Sequence, residues 1–204
     1  FDHPLYILYT SGTTGAPKAI VHRAGGVVLQ HLKEHVLHGD VRPGDALLWY
    51  TNTAWMMYHW MVSVLGCGAA VVLYDGAPIL KGADGLDCAP LWKVVEAKGV
   101  THLGISPKYL QTLAAEGYHP AERMKLPRLR ALLSAGAPVM SAQYDWVYVH
   151  VKADMMFASI SGGTEILGCF LIGSPLHPVR RGQLTVPALG HAMAVLDERN
   201  APVI

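Results

Sequence analysis

Short runs rich in β-branched and aromatic residues alternate with longer segments of helical period along most of this chain, and that alternation predicts an α/β fold: a layered, mostly parallel sheet with flanking helices. The predicted strands are Leu5 to Tyr9, Ala19 to Val21, Ala46 to Tyr50, Ala70 to Tyr74, Thr101 to Gly104, Ala131 to Ser134 and Met155 to Ala158. Helices are expected in the intervals. Val27, Val28, Leu32 and Val36 mark the apolar side of the first, roughly Gly25 to Leu37, and Leu91, Val94 and Val95 mark one that ends near Gly99. Tyr109, Leu110 and Leu113 fit a third, and Trp146, Val147 and Val151 a fourth. Pro78 to Pro90 and Tyr118 to Pro127 read as surface excursions. After Ser159 the helical period fades, so the expected division is an α/β core over residues 1–168 and the start of a small β-rich region over 169–204.

Composition narrows the class. An apolar fraction of 51% in 204 residues is enough for a real core. Sixteen basic side chains against fifteen acidic ones give a net charge near +1, without the concentrated basic surface that nucleic acid requires. The longest apolar stretches, Trp55 to Leu65 and Ala69 to Tyr74, fall short of the about 20 residues that cross a bilayer, so no membrane span is expected. Cys67, Cys88 and Cys169 are odd in number and lack a CxxC pair, which points to a reducing, cytoplasmic setting. The opening Phe1-Asp2-His3-Pro4-Leu5 has no basic lead or cleavage site and reads as the interior of a longer chain.

Between the first two predicted strands lies Thr10-Ser11-Gly12-Thr13-Thr14-Gly15-Ala16-Pro17-Lys18. Gly12 and Gly15 let the backbone approach an anion, the hydroxyls and exposed N–H groups can donate to phosphate oxygens, and Lys18 adds a compact positive charge. It is not a Walker loop, because Ala19 follows the lysine where a Mg²⁺-binding hydroxyl would be needed. The plain alternative is a polar turn between strands.

Three further segments carry chemistry. Ser134-Ala135-Gly136-Ala137-Pro138 follows a predicted strand, at the carboxyl end where α/β sheets place ligands, and its small side chains would admit a flat ring; it also fits any strand-to-helix turn. Ser161-Gly162-Gly163-Thr164-Glu165 sets a hydroxyl beside a carboxylate, so that Thr164 can contact phosphate while Glu165 holds Mg²⁺; the alternative is an exposed glycine-rich turn. Thr53-Ala54-Trp55-Met56-Met57-Tyr58-His59-Trp60 is an aromatic and thioether cluster, which on composition reads as a buried helix. His31, His35 and His38 recur at helical spacing, and the reading preferred over a metal site is a solvated, histidine-rich helix face.

The run from Tyr9 through Lys18 resembles the signature loop of the adenylate-forming enzymes: acyl-CoA synthetases, luciferases and peptide-synthetase adenylation domains. The resemblance implies that the chain is part of the large N-terminal domain of such an enzyme. It implies that Thr10, Ser11, Gly12, Thr13, Thr14, Gly15 and Lys18 hold the β- and γ-phosphates of ATP. Gly136, Ala137 and Pro138 would line the adenine pocket, joined by Ser161, Gly162, Gly163 and Thr164 on the nucleotide. Thr164, Glu165 and Lys18 would be catalytic, Glu165 the Mg²⁺ ligand, and Trp55 and Met56 the border of the acyl group.

Together with Lys18-Ala19-Ile20-Val21-His22 and Val72-Leu73-Tyr74-Asp75-Gly76, these segments look like the acetoacetyl-CoA synthetase branch of the family. Three positions depart from the pattern: Ser161 replaces an aromatic residue, Ala54 a glycine, and Tyr58-His59 a Trp-Asn pair. The implied reaction joins a small carboxylate to ATP as an acyl-adenylate and then to CoA, whose site would lie largely outside this chain. Acetate, propionate, an amino or an aryl acid remain alternatives to acetoacetate, as does a non-catalytic nucleotide-binding module. The family's ribose-binding Asp, hinge and small C-terminal domain with its adenylating Lys are not in these 204 residues, so the chain alone is expected to be inactive or nearly so.

Overall fold

The computed structural model describes residues 1–10, 15–83 and 85–203. The first elements are β1 (Pro4–Tyr9), β2 (Ala19–Arg23), α1 (Ala24–Lys33, prolonged by a π-helical turn over Glu34–His38), β3 (Ala46–Trp49), α2 (Met56–Val62), β4 (Ala70–Val71), β5 (Leu80–Gly82) and β6 (Gly85–Asp87). They are followed by α3 (Pro90–Ala97), β7 (His102–Ile105), α4 (Pro107–Ala115), α5 (Pro120–Arg123), β8 (Ala131–Ser134), α6 (Ser141–His150), β9 (Met156–Ser159), β10 (Ser161–Gly163), β11 (Gly168–Ile172) and β12 (Val186–Pro187).

Five strands form a parallel sheet in the order β4-β3-β7-β8-β9. Both of its faces are covered, which is why the three central strands are buried at every position and read as mostly apolar runs, with His102 and Ser134 the buried polar members. Alternate residues divide between two cores. Leu48, Leu103, Ile105, Leu132 and Phe157 pack with Leu91, Trp92, Leu110, Leu113 and Val147 of α3, α4 and α6. Leu47, Trp49, Ala131, Leu133 and Ala158 pack on the other side with Trp60, Met61, Cys169 and Ile172. The helices start on local signals: Pro90 and Pro107 occupy first-turn positions, and the Ser106 hydroxyl caps α4 by accepting from the Tyr109 N–H at 3.2 Å.

Several expectations change. The edge strand β4 pairs only over Ala70 and Val71; Val72 N–H still donates to Leu47 O at 2.8 Å, but Leu73 is already exposed. Pro78 to Pro90 holds a small hairpin, β5 with β6, and Tyr118 to Pro127 holds the short helix α5. The Ser161-Gly162-Gly163 run is a strand, not a free turn. It pairs antiparallel with β11 in the three-stranded sheet β10-β11-β12.

The largest correction concerns α1 and its π-helical turn. Val28, Leu29, Val36 and Leu37 face outward, while His31, Glu34, His35 and His38 face inward and are essentially buried. The polar stripe is the packed one because each of its side chains finds a partner across the interface. His31 Nε2 donates to Leu167 O (2.9 Å), His35 Nε2 to Trp60 O (2.8 Å), and His38 Nδ1 to Gly173 O (2.9 Å) while its Nε2 accepts from Leu189 N (3.1 Å).

Candidate functional site

Because the central strands are parallel, their carboxyl ends at Trp49, Ile105, Ser134 and Ser159 open on one edge of the sheet. Two cavities lie along this edge and share Gly136, Ile160 and Gly162, so they form one cleft with two lobes.

The first lobe, about 460 Å³, runs between Gly136, Ala137, Pro138 and Val139 on one side and Ser159, Ile160, Ser161 and Gly162 on the other. Gly136 has φ +95°, so the chain leaves β8 through a conformation that favours glycine. Gly182, Gln183 and Leu184 close the lobe, tied to α6 by the Tyr144 hydroxyl, which donates to Gln183 O at 2.9 Å. Gly136, Ala137, Ser159, Ser161, Gly162 and Gly182 keep much of the lobe's wall small.

The second lobe, about 350 Å³, is lined by Tyr9, by Ala54, Trp55, Met56 and Met57, and by Gly163, Thr164, Gly168 and Cys169. Trp55 caps the N-terminus of α2 in an extended conformation and is 59% exposed, overhanging the lobe, while Met56 behind it is half-buried. Asn52 Oδ1 accepts from Ala54 N at 3.0 Å and shapes the approach to that helix.

Thr164 and Glu165 occupy the turn between β10 and β11. Leu167 N–H donates to Thr164 O at 3.3 Å, and Leu167 takes φ +50° with its side chain buried beside Leu8 and Val27. Glu165 forms no ion pair among the described residues. The His22 ring stands beside this turn; burial lowers its pKa, partly offset by the Thr164 backbone and by the Glu165 charge. Tyr6 lies against His59 with ring centroids 4.3 Å apart, packs on the cluster of Leu8, Val27 and Leu167, and has its hydroxyl pushed up to about 12 by burial.

Of the loop between β1 and β2, residues 11–14, which include Ser11, Gly12, Thr13 and Thr14, lie outside the described residues. Thr10 N–H donates to Lys18 O at 3.0 Å, which clasps the base of the loop one step beyond the Tyr9–Ala19 pair. Gly15 and Lys18 are exposed, and neither they nor Thr10 lines either lobe, whereas Tyr9 does. The structure thus brings Gly136, Ala137, Pro138, Ser161 and Gly162 together in one lobe and Trp55, Met56, Gly163 and Thr164 in the other. Tyr9 and Met57 stand inside segments that the sequence singles out without assigning them to the site, whereas Cys169 and the arm over Gly182, Gln183 and Leu184 arrive from distant segments with no local motif. His119, Glu122 and His150 bring potential ligand atoms within 4.8 Å of one another, and this cluster shares no residue with either lobe.

Known proteins share this fold. Acetoacetyl-CoA synthetase of Gallus gallus is 43% identical over 203 residues, covering 100% of this chain and 30% of that protein. The Rhizobium meliloti acetoacetyl-coenzyme A synthetase is 44% identical with the same coverage, and a Penicillium aethiopicum malonamoyl-CoA synthetase is 42% identical over 94% of the chain. The chain therefore spans about 30% of the length of the curated relatives it matches. The solved acetoacetyl-CoA synthetase of Streptomyces lividans superposes with a TM-score of 0.88 at 39% identity, over 99% of this chain and 31% of its own. An anthranilate CoA ligase bound to anthranoyl-AMP shares the fold, with a TM-score of 0.78 at 21% identity over 97% of this chain and 36% of its own. Residues 2–204 match the family described as AMP-binding enzyme, and with the whole parallel sheet and its cleft inside that match, the chain belongs to the AMP-binding enzyme family.

Proposed function

We propose that this chain carries the nucleotide and acyl sites of an AMP-forming synthetase that activates a short 3-oxo carboxylate, acetoacetate foremost, first to its acyl-adenylate and then to its CoA thioester. The observation that carries this reading is the two-lobed cleft. A small-walled lobe suited to adenine and an aromatic and thioether lobe suited to a short acyl group meet at Gly136, Ile160 and Gly162, and Thr164 lines the second of them. The names of the relatives favour the substrate class, since acetoacetate and malonamate are both short acids with a carbonyl at the third carbon. In this reading residues 1–168 form the α/β core that holds most of both sites, and residues 169–204 open a β-rich region from which Cys169 and the arm over Gly182, Gln183 and Leu184 complete the lobes.

Adenylation needs a carboxylate oxygen to attack the α-phosphorus of ATP while pyrophosphate leaves, and the task of the protein is to bring two anions into line. Gly136, Ala137 and Pro138 would seat the adenine, with Ser161 supplying a hydroxyl rather than a stacking ring. Thr10, Ser11, Gly12, Thr13, Thr14, Gly15 and Lys18 would hold the β- and γ-phosphates through N–H and O–H donors and the lysine charge. Thr164 would donate to the α-phosphate, and Trp55 and Met56 would border the acyl chain. The Glu165 carboxylate, without an ion-pair partner among the described residues, is a hard oxygen donor that fits Mg²⁺, which when bound supplies neutralising charge to the phosphates. In the second half-reaction the CoA sulfur would attack the acyl carbonyl and AMP would leave.

A substrate panel on the full-length protein tests the proposal, reading pyrophosphate release and thioester formation with acetoacetate, malonamate, acetate, propionate, butyrate and benzoate. Acetoacetate or malonamate should give the highest kcat/KM. Preference for acetate or benzoate would refute the substrate class, and nucleotide binding with no adenylate from any acid would refute the enzyme. The 204-residue chain alone should bind nucleotide with little or no pyrophosphate exchange, because the adenylating Lys implied by the family resemblance is not within it.

A further inference from the structure

Glu34 lies at the centre of the inward polar stripe of α1 and is fully buried. Its carboxylate accepts four hydrogen bonds. Oε1 takes Gln30 Nε2 and the Cys169 backbone N–H, both at 2.8 Å, and Oε2 takes Trp60 Nε1 at 2.8 Å and Cys169 Sγ at 3.3 Å. An ionised carboxylate offers about four lone-pair positions, so this one is saturated. Lys33 Nζ, 3.6 Å from Oε1, supplies a nearby positive charge and is itself held by Leu189 O at 2.8 Å.

Glu34 lines neither lobe, yet its partners belong to two separate segments of the wall of the second one. Cys169 is part of the wall formed with Gly168. Trp60 belongs to α2, the helix whose first turn presents Trp55, Met56 and Met57 to the same lobe. A Cβ on Gly168 would collide with the Gln30 amide and the Glu34 carboxylate, so the wall can approach α1 this closely only because residue 168 is glycine. His31 fixes the residue before it through Leu167 O.

We propose that Glu34 is a positioning residue that sets the separation of the two walls of the second lobe, and through it which acyl groups the lobe accepts. The proposal rests on the reading of that lobe as the acyl site. Glu34 touches no substrate; it acts through Trp60 and Cys169. An amide in its place would turn one acceptor oxygen into a donor facing either the indole N–H or the backbone N–H of Cys169, forcing one wall away from α1.

Titration calorimetry on the full-length protein tests this with 5′-O-(N-acylsulfamoyl)adenosines, stable mimics of acyl-adenylates, carrying acetoacetyl or benzoyl groups, and with AMP as the acyl-free control. The parent should favour acetoacetyl over benzoyl. Glu34→Gln should weaken the acetoacetyl mimic by about tenfold to a hundredfold, the cost of one unsatisfied buried donor, and shrink the preference over benzoyl, while AMP affinity stays within about twofold. Equal losses for AMP and both mimics would mark a merely structural carboxylate and overturn the proposal, as would an unchanged acyl preference. Trp60→Phe removes the bond to α2 together with part of a buried indole and should shift the preference the same way; if Glu34→Gln fails to fold, an unchanged preference in Trp60→Phe overturns the proposal instead. A parent protein that binds AMP but gains nothing from either acyl group would fail the acyl-site reading itself, a distinct result.

Discussion

His31 Nε2 lies 2.9 Å from the carbonyl oxygen of Leu167, a residue 136 positions later in the chain. The bond pins the exit of the turn that carries Thr164 and Glu165. Leu167 is a non-glycine residue at φ +50°, a conformation that costs roughly 1–2 kcal/mol, and it is held there by this bond and by burial against Leu8 and Val27. The imidazole must carry its proton on Nε2 to make the bond, which leaves Nδ1 bare and buried without a partner among the described residues. Protonating Nδ1 would place a donor where none of the described residues accepts it.

Acid sensitivity follows from that geometry. Burial pushes His31 down to about 4 and His35 down to about 3, from an ordinary value of 6.5. The unfolded chain therefore binds these protons more tightly than the folded one, so their contribution to stability is complete above pH 6.5 and is lost as pH falls toward 4 and then 3. Each histidine should add up to about 1.4 kcal/mol per pH unit to the loss. Carboxylates add their own acid dependence, so the informative comparison is with His31→Gln, whose amide can still donate to Leu167 O. Urea unfolding between pH 7 and pH 4.5 should show a shallower pH slope in the variant; equal slopes would contradict the assignment.

The turn at Gly136 should resist a single methyl group for backbone reasons alone. A Cβ there would meet nothing within 4 Å, but φ +95° is strained for any L side chain. Gly136→Ala should therefore cost about 1–3 kcal/mol in stability, or lose AMP affinity by a similar factor if the turn relaxes to avoid the strain. Thermal unfolding alongside an AMP titration reads both. Parent-like values in the two measurements together would show that the turn does not need this conformation.

Phe157 tests whether the sheet is the foundation of the cleft. Fully buried on β9, it packs against Tyr144 with ring centroids 4.8 Å apart, and Tyr144 holds the arm that closes the first lobe. Phe157→Ala should destabilise by about 3–5 kcal/mol, whereas Leu176→Ala, at a site 86% exposed, should change stability by less than about 0.5 kcal/mol. Chemical denaturation of the two variants side by side measures the contrast, and comparable costs would place Phe157 outside the core.

What the sequence reveals depends on how local each signal is. Ala131–Ser134 is legible to the residue because both of its faces are buried and its apolar run is unbroken. Ala70 to Tyr74 looks the same in sequence, but an edge strand pairs only as far as its single neighbour follows, and here pairing ends at Val71. The α1 stripe inverts for a physical reason. His31, Glu34, His35 and His38 share the spacing of a core face but not its chemistry: the histidines donate to backbone carbonyls of α2 and of the loops around β11, and Glu34 accepts from Trp60 of α2 and Cys169 of β11. No window along α1 contains these distant partners. The cleft divides the same way: Gly136, Ala137, Pro138, Trp55, Met56 and Thr164 belong to compact motifs, while Cys169 enters through the pairing of β11 and Gln183 through a loop that Tyr144 holds.

Glu165 gives the sharpest test of the nucleotide half of the cleft. Its carboxylate stands on the turn beside Thr164, next to a His22 ring that burial keeps less basic than usual, and it makes no ion pair among the described residues. A hard anionic oxygen in that position is most useful to a cation that also touches phosphate. Replacing a partner one shell out from a metal already costs about tenfold to a hundredfold in affinity, and a direct ligand should cost no less. Glu165→Gln should therefore lose at least about tenfold in ATP affinity in the presence of Mg²⁺. With the metal chelated, parent and variant should bind ATP alike, and AMP should bind both equally. Thermal shift and calorimetry with ATP, with and without Mg²⁺, separate these cases. A Mg²⁺-independent loss would move Glu165 from the metal to the fold of the turn.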